Sequence, residues 1–385
     1  MKDIVSKDVK NIEISGIRKF YNEVQKFPDA ISLTLGQPDF AVPKKIRDAM
    51  IDAINSGKTG YTSNAGIVPL RREIGKFLRK YNMNYDENEI CITVGGSEGI
   101  ASVLRTIIDA GDKILIPDPG YPAYENCIKL CGGKPLYYSF NKDFSINIDD
   151  LKKTIKECKP KAIVLSFPSN PTGAVLSEDD SKKIHDIIKD NDITAVSDEI
   201  YSELCFDKYY SPAQSSDIKD KVILVGGFSK MFSMTGLRVG YVCADKYIID
   251  NLMKVHQYNV SCAPSISQWG AYEGLRKCAE DVKYMKEEFI KRRDYVYGRL
   301  SKIGFDVELP KGAFYIFPSI KKFGLKSQDF CMRLLKEAKV AVVPGDAFGK
   351  NGEGFIRISY SYSMENLKES IDRIENWINK NNAMF

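Results

Sequence analysis

The sequence predicts an α/β protein: a seven-stranded, mostly parallel sheet sandwiched by helices, with a smaller α+β domain. Three observations carry this. From about residue 89 one unit repeats, a short apolar run, a loop and a helical period, and such alternation gives a largely parallel sheet covered on both faces. Beyond residue 300 short strands mix with two helical stretches, the pattern of an α+β lobe. The polar residues able to do chemistry fall just after the apolar runs, where open α/β sheets bind their ligands.

The elements follow in order. Residues 1–45 read as an N-terminal arm that joins the small domain, with a strand at Ile31–Leu35 and Pro-punctuated loops; a helix covers Lys44–Asn55. Lys58–Gly66 is turn-rich, as a loop crossing to a partner would be. The large domain spans 46–285, and its seven runs are Glu89–Val94, Asp112–Ile116, Leu136–Phe140, Ala162–Phe167, Ile193–Ser197, Val222–Val225 and Gly240–Ala244. Their unbroken β-branched and aliphatic content is that of strands buried on both faces. Helical periods separate most of them, such as Ile100, Val103, Leu104, Ile107 and then Ile184, Ile187, Ile188. The loop between the last two runs has no helical period and is marginal for a parallel crossover, so the last strand is expected to run antiparallel. A charged helical stretch at Gly274–Leu300 connects to the small C-terminal domain, 286–385. That domain holds short strands at 305–309, 313–317, 340–343 and 355–359 and helices around 327–338 and 364–380.

Composition excludes several classes. A net charge of +5 over 385 residues, with no dense basic run, argues against nucleic acid as a partner. No apolar stretch approaches the ~18 residues of a membrane span. The first ten residues are polar and mixed in sign, so they are not read as a signal peptide. Nine cysteines form no C-x-x-C pair and read as reduced residues of a cytoplasmic protein. With two histidines, a His-rich metal site or a Ser-His-Asp triad is unsupported, and no metal is expected. His185 reads as a structural residue of a surface helix; His256, Gln257 and Asn259 read as a polar loop able to enter a neighbour's site.

The residues after the runs have a chemistry in common. Gly95 and Gly96 precede a helix opening on Ser97 and Glu98, whose free N–H groups and positive dipole end make an anion site. Arg238 could hold the same anion bidentately. Asp198 at a strand end needs a cation or a protonated ring nitrogen. Tyr201 could donate to an oxygen on such a ring, and Tyr121 offers a face for stacking. Lys230, walled by Phe228, Met231 and Phe232, sits where desolvation lowers an amine pKa and makes it nucleophilic. Read singly, each has a plainer role: a solvated lysine, a helix cap, structural ion pairs for Arg238 and Arg357, packing for the tyrosines. Read together they suit a planar ring with a phosphate arm, a basic nitrogen, a phenolic oxygen and an aldehyde, which is pyridoxal 5'-phosphate.

Nine motifs carry a family resemblance along nearly the whole chain: SLTLGQPDF (Ser32–Phe40), GYT (Gly60–Thr62), GGSE (Gly95–Glu98), Tyr121-Pro122, SNPTG (Ser169–Gly173), SDEIY (Ser197–Tyr201), FSK (Phe228–Lys230), TGLRVG (Thr235–Gly240) and FIRIS (Phe355–Ser359). The chain resembles the class-I pyridoxal-phosphate-dependent aminotransferases of fold type I. ISGIRK (Ile14–Lys19) and KVHQYNVSC (Lys254–Cys262) place it nearest the bacterial aspartate and N-acetyl-diaminopimelate branch.

The resemblance implies a transaminase of amino acid metabolism and biosynthesis, moving an amino group from an L-amino acid to a 2-oxo acid, with 2-oxoglutarate and glutamate as the expected pair. Lys230 would form the Schiff base and move the proton, with Asp198 and Tyr201 as the other catalytic residues. Asp198 would keep the pyridine nitrogen protonated, Asn170 and Tyr201 would bond the phenolic oxygen, and Tyr121 would stack on the ring. Gly96, Ser97, Glu98, Ser229 and Arg238 would hold the phosphate. Tyr61 would reach the phosphate of a neighbouring subunit, implying a homodimer. Arg357 would clamp the substrate α-carboxylate, with Gly36 and Asn170 lining the same site. One departure is Gly227, where many relatives have a phosphate-binding Ser. The alternatives on this scaffold are a carbon–sulfur β-lyase and a non-catalytic ligand-sensing module. A nicotinamide dehydrogenase is disfavoured because no G-x-G-x-x-G follows a strand.

Overall fold

A computed structural model of the protein describes residues 4–381; residues 1–3 of the expected arm and 382–385 of the expected C-terminal domain lie outside the described residues. The strands, in chain order, are β1 (Ile31–Ser32), β2 (Ile90–Thr93), β3 (Lys113–Pro117), β4 (Lys134–Tyr138), β5 (Ala162–Ser166) and β6 (Thr194–Asp198). They continue with β7 (Val222–Gly227), β8 (Gly240–Cys243), β9 (Tyr315–Ile316), β10 (Val340–Ala341), β11 (Val343–Pro344) and β12 (Ile356–Ser359).

Seven of them form the main sheet, in the order β2-β8-β7-β6-β5-β3-β4. Its pairings are parallel except at β8, which runs antiparallel to both β7 and β2, as the short β7–β8 connection requires. The apolar runs are continuous because both faces are covered. Ile114, Ile116, Val164, Val196 and Val225 pack with Ile100, Val103 and Leu104 of the helix Gly95–Ile107. The intervening Leu115, Ile163, Leu165 and Leu224 belong to the core that holds Ile184, Ile187 and Ile188 of the helix Glu178–Asp190.

Several boundaries differ from expectation. The third run pairs at 134–138 rather than 136–140. It is an edge strand, where Pro135 is tolerated, and Ser139 already leaves the ladder to donate its N–H to Asp150. The expected helix 274–300 is two helices, Ser265–Lys277 and Ala279–Ile303, broken at Cys278. The first lies against the helix Lys44–Asn55 so closely that a Cβ on Gly274 would meet Ile46 and Phe232 at 2.8 Å. The arm carries two unforeseen helices, Lys7–Lys10 and Gly16–Val24.

Small strands complete the C-terminal part. The expected strand 31–35 shortens to β1, which pairs parallel with β10, and the chain then peels away. The run 340–343 divides, because β10 pairs with β1 while β11 joins β12 and β9. Residues 305–309 make one bridge, Asp306 to Ser319, and no strand. The run 313–317 reduces to β9 after Ala313, which has φ +57°. No helix among the described residues is long and apolar enough to cross a membrane.

The β7–β8 junction shows how tightly the sheet edge is built. A Cβ on Gly240 would lie 2.8 Å from Gly95 C and Gly96 N, backbone that cannot swing aside as a side chain can. Gly240→Ala should therefore lower the unfolding free energy by about 1–3 kcal/mol in a urea titration. Gly236→Ala, with nothing within 4 Å of its added Cβ, should change it by less than about 0.5 kcal/mol. Equal stability of the two variants would contradict this packing.

Candidate active site

The carboxyl ends of β5, β6 and β7 open onto a cavity of about 390 Å³. Of the residues singled out from the sequence, Gly36, Gly96, Ser97, Tyr121, Asn170, Asp198, Tyr201, Ser229, Lys230, Arg238 and Arg357 all line it.

Lys230 lies three residues beyond the end of β7, and its Nζ donates to the Gly36 carbonyl at 2.6 Å. Phe228, Met231 and Phe232, expected to wall it, are buried, but the rings that lie against the amine are Tyr201 and Phe314, with centroids 5.7 and 5.8 Å away. Burial, reinforced by the positive Arg357 and Arg238, lowers the Lys230 pKa to about 8; Asp198 opposes this. A Cβ at Gly36 would collide with the Tyr315 hydroxyl, so a larger residue there would have to displace the Tyr315 ring.

Asp198 ends β6, 5 % exposed. Its Oδ2 accepts from the Tyr124 hydroxyl at 2.5 Å and its Oδ1 from the Ile200 N–H at 3.2 Å. The second bond is a local turn cap, so the plainer reading of Asp198 is met in part. Burial raises its pKa against these donors, and among the described residues no cation is within ion-pair distance. Tyr201 and Tyr315 share a hydroxyl–hydroxyl bond of 2.7 Å.

Arg357, on β12, is 2 % exposed and its pKa is lowered by burial. It donates to Asn170 Oδ1 at 2.8 Å and the Thr34 carbonyl at 2.6 Å, and stacks on Tyr315 and Phe348, while its Nε has no partner. No described carboxylate lies within ion-pair distance, so the structural ion pair is not what holds it. Arg238, in the left-handed region at φ +52°, donates to the Thr235 carbonyl at 2.7 Å and lies against Gly95. Its guanidinium thus faces the N-terminus of the helix Gly95–Ile107, beside Ser97, Ser229 and Thr235 on the cavity wall.

Two expected residues lie elsewhere. Tyr61 is 91 % exposed on its loop and does not line the cavity, so any contact with a phosphate would have to be made in another copy of the chain. The Glu98 side chain turns away from the cavity, accepting from the Val94 N–H, Ser102 and His256. His256 is not in a polar loop: it lies in the helix Lys246–Val260, fully buried against Glu98. Burial favours neutral Glu98, but His256, Ser102 and the Val94 N–H outweigh it and leave its pKa lowered. At Gly227 an added Cβ would lie 2.8 Å from Ile200 Cδ1, so a serine would need Ile200 to shift.

Sequence reasoning missed Thr34, Tyr124, Ser166, Thr235, Tyr315 and Arg18, all on the cavity wall. Tyr124 had a signal, one helical turn after Tyr121. Tyr315 had none, lying in the apolar run Phe314–Phe317.

The cavity fits pyridoxal phosphate on its own terms: a helix N-terminus faced by Arg238 and Ser229, a buried carboxylate without a cation, and an amine of depressed pKa. Comparison with known proteins agrees. The family model for aminotransferase class I and II matches residues 28–374. The chain is 45 % identical to a probable N-acetyl-LL-diaminopimelate aminotransferase of Bacillus subtilis, over 99 % of this chain and 97 % of that one. It is 41 % identical to an aspartate aminotransferase of Pyrococcus abyssi, over 94 % and 95 %. The solved structure of the Thermus thermophilus aspartate aminotransferase with maleate superposes with a TM-score of 0.93 at 29 % identity, covering 98 % of this chain and all (100 %) of that one. The chain belongs to the class I and II aminotransferases, enzymes that depend on pyridoxal phosphate.

Proposed function

We propose that the protein transfers the amino group of an L-amino acid to a 2-oxo acid, with 2-oxoglutarate and glutamate as one pair, and that Lys230 is the point of covalent attachment. The observation that carries this is one cavity holding a lysine of lowered pKa, an unpaired buried carboxylate and an unpaired buried arginine. The carbon–sulfur β-lyase alternative is not favoured, because the relatives described above carry aminotransferase names.

Bound pyridoxal phosphate supplies an aldehyde that captures amines and a ring that takes up electrons. The chain's residues do the rest. Arg357 binds the substrate α-carboxylate and so orients Cα toward Lys230. With a pKa of about 8, the Lys230 amine would be able to take and give back a proton at the substrate near neutrality. Asp198, held by the Tyr124 hydroxyl and the Ile200 N–H, would pair with a protonated ring nitrogen, whose positive charge would favour the carboxylate that burial disfavours. Tyr201 and Asn170 would hydrogen-bond the phenolic oxygen, and Tyr121 would offer its face to the ring. Ser229, Arg238 and the helix N-terminus at Gly96 and Ser97, with the Glu98 N–H, would hold the phosphate.

The loaded protein should lose its visible absorbance when an amino donor is added and regain it with 2-oxoglutarate. Lys230→Ala should slow turnover by roughly 10²–10⁴-fold or more, measured by coupled assay. Full activity in that variant would exclude the assignment.

Only the neutral amine attacks an aldehyde. The rate at which coenzyme-free protein couples with pyridoxal phosphate should therefore rise with pH to a midpoint near 8, since Lys230 loses its proton at about 8 rather than 10.5. Stopped-flow absorbance measures it, and a rate that climbs only toward the ordinary lysine value would contradict the burial argument.

A further inference from the structure

Glu98 and His256 pair away from the cavity, and no step proposed above uses their side chains. His256, on the helix Lys246–Val260, is fully buried; its Nδ1 lies 3.2 Å from Glu98 Oε1, and its Nε2 has no partner among the described residues. Burial opposes charge on Glu98, yet the bonds from His256 and Ser102 leave its carboxyl below the ordinary range. An ionised carboxylate only accepts, so Nδ1 of His256 carries the proton between them. An apolar side chain would fill the same place without an unmade bond at Nε2, so packing alone does not call for a histidine here. What the histidine adds is the bond to Glu98.

That bond reaches the cavity through a short line of contacts. Glu98 Oε2 accepts at 3.0 Å from the N–H of Val94, the residue before the helix Gly95–Ile107, as the acid of a capping box does. The helix's own first N–H groups are thereby left for a ligand. The Val94 carbonyl accepts from Arg238 Nη2 at 3.4 Å. Val94 is thus gripped twice, by Glu98 at its N–H and by Arg238 at its carbonyl. Gly95 follows at φ +74° and lets the guanidinium come so close that an added Cβ would meet Nη2 at 2.6 Å. His256, Glu98, Val94 and Arg238 therefore make one line from the core to the cavity wall.

We propose that His256 is a positioning residue for the coenzyme phosphate. Acting through Glu98, it fixes the Val94–Gly96 turn and the Arg238 guanidinium, the groups assigned to that phosphate above. Without the proton of His256, the Glu98 carboxylate would be released toward the first N–H groups of its own helix. There it would compete with the phosphate as a second anion.

The proposal rests on the aminotransferase reading, and the test keeps the two apart. Coenzyme-free protein is titrated by fluorescence quenching with pyridoxal phosphate and with pyridoxal, which lacks the phosphate; the loaded forms are compared by phosphorus NMR. The parent protein should bind pyridoxal phosphate the more tightly. In His256→Leu its dissociation constant should rise by about tenfold or more, with that for pyridoxal unchanged, and the bound phosphorus resonance should move. His256→Asn, whose amide can donate to Glu98, should restore much of the phosphate preference. Glu98→Gln, which cannot accept at both positions, should reproduce the loss, and it carries the same comparison if His256→Leu does not fold. Equal weakening of both compounds would show a merely structural histidine and overturn the assignment. So would no change in either, or a His256→Asn variant no better than the leucine one. A parent without preference for the phosphorylated compound would also overturn it, while leaving the assignment of Lys230 intact. A parent that binds neither compound would remove both readings.

Discussion

Charge held without counter-charge is the constraint on which this structure depends. Asp198 and Arg357 are almost completely buried, and each would be costly to leave in an apolar interior. The protein meets that cost with neutral dipoles instead of opposite ions. Asp198 receives a tyrosine hydroxyl and a backbone N–H; Arg357 gives to an amide oxygen and a carbonyl; Arg238 and Lys230 give to carbonyls. Dipoles of this kind hold a charged side chain in place without neutralising it. Among the described residues none of these groups has an ion-pair partner, so a ligand is left to supply the missing counter-ions.

The fold brings these groups together from distant parts of the chain. Parallel order in the main sheet sends β5, β6 and β7 out on one edge, so Asn170, Asp198 and Lys230 follow their strands into the same space. The pairing of β1 with β10 lays the segment Thr34–Gly36 across that edge, and β12 delivers Arg357 to meet it. Glycines permit the close approaches: Gly36 beneath Tyr315, and Gly240 against the Gly95–Gly96 turn. The lowered pKa of Lys230 follows from this convergence, since burial and two guanidinium groups act on one amine.

Much of this was legible in the sequence, for reasons that are physical. A strand covered on both faces must be apolar throughout, so its polar successor stands out; Asp198, Asn170 and Lys230 were found that way. The antiparallel β8 followed from a connection too short for a crossover. What stayed hidden depends on contacts between distant segments. Tyr315 lies in an apolar run and shows its role only by meeting Tyr201. Arg18 sits on a short helix of the arm, whose docking on Ala347 no local pattern reveals. Glu98 and His256, separated by 158 positions, turned out to pair with each other, so neither side chain faces the cavity.

The central claim, that these uncompensated charges gather around one amine which bonds to the coenzyme, is tested most directly by borohydride reduction of the loaded protein and peptide mapping. The pyridoxyl mass is expected on Lys230 and on no other lysine. A mass on a different lysine, or none at all after loading, would contradict it.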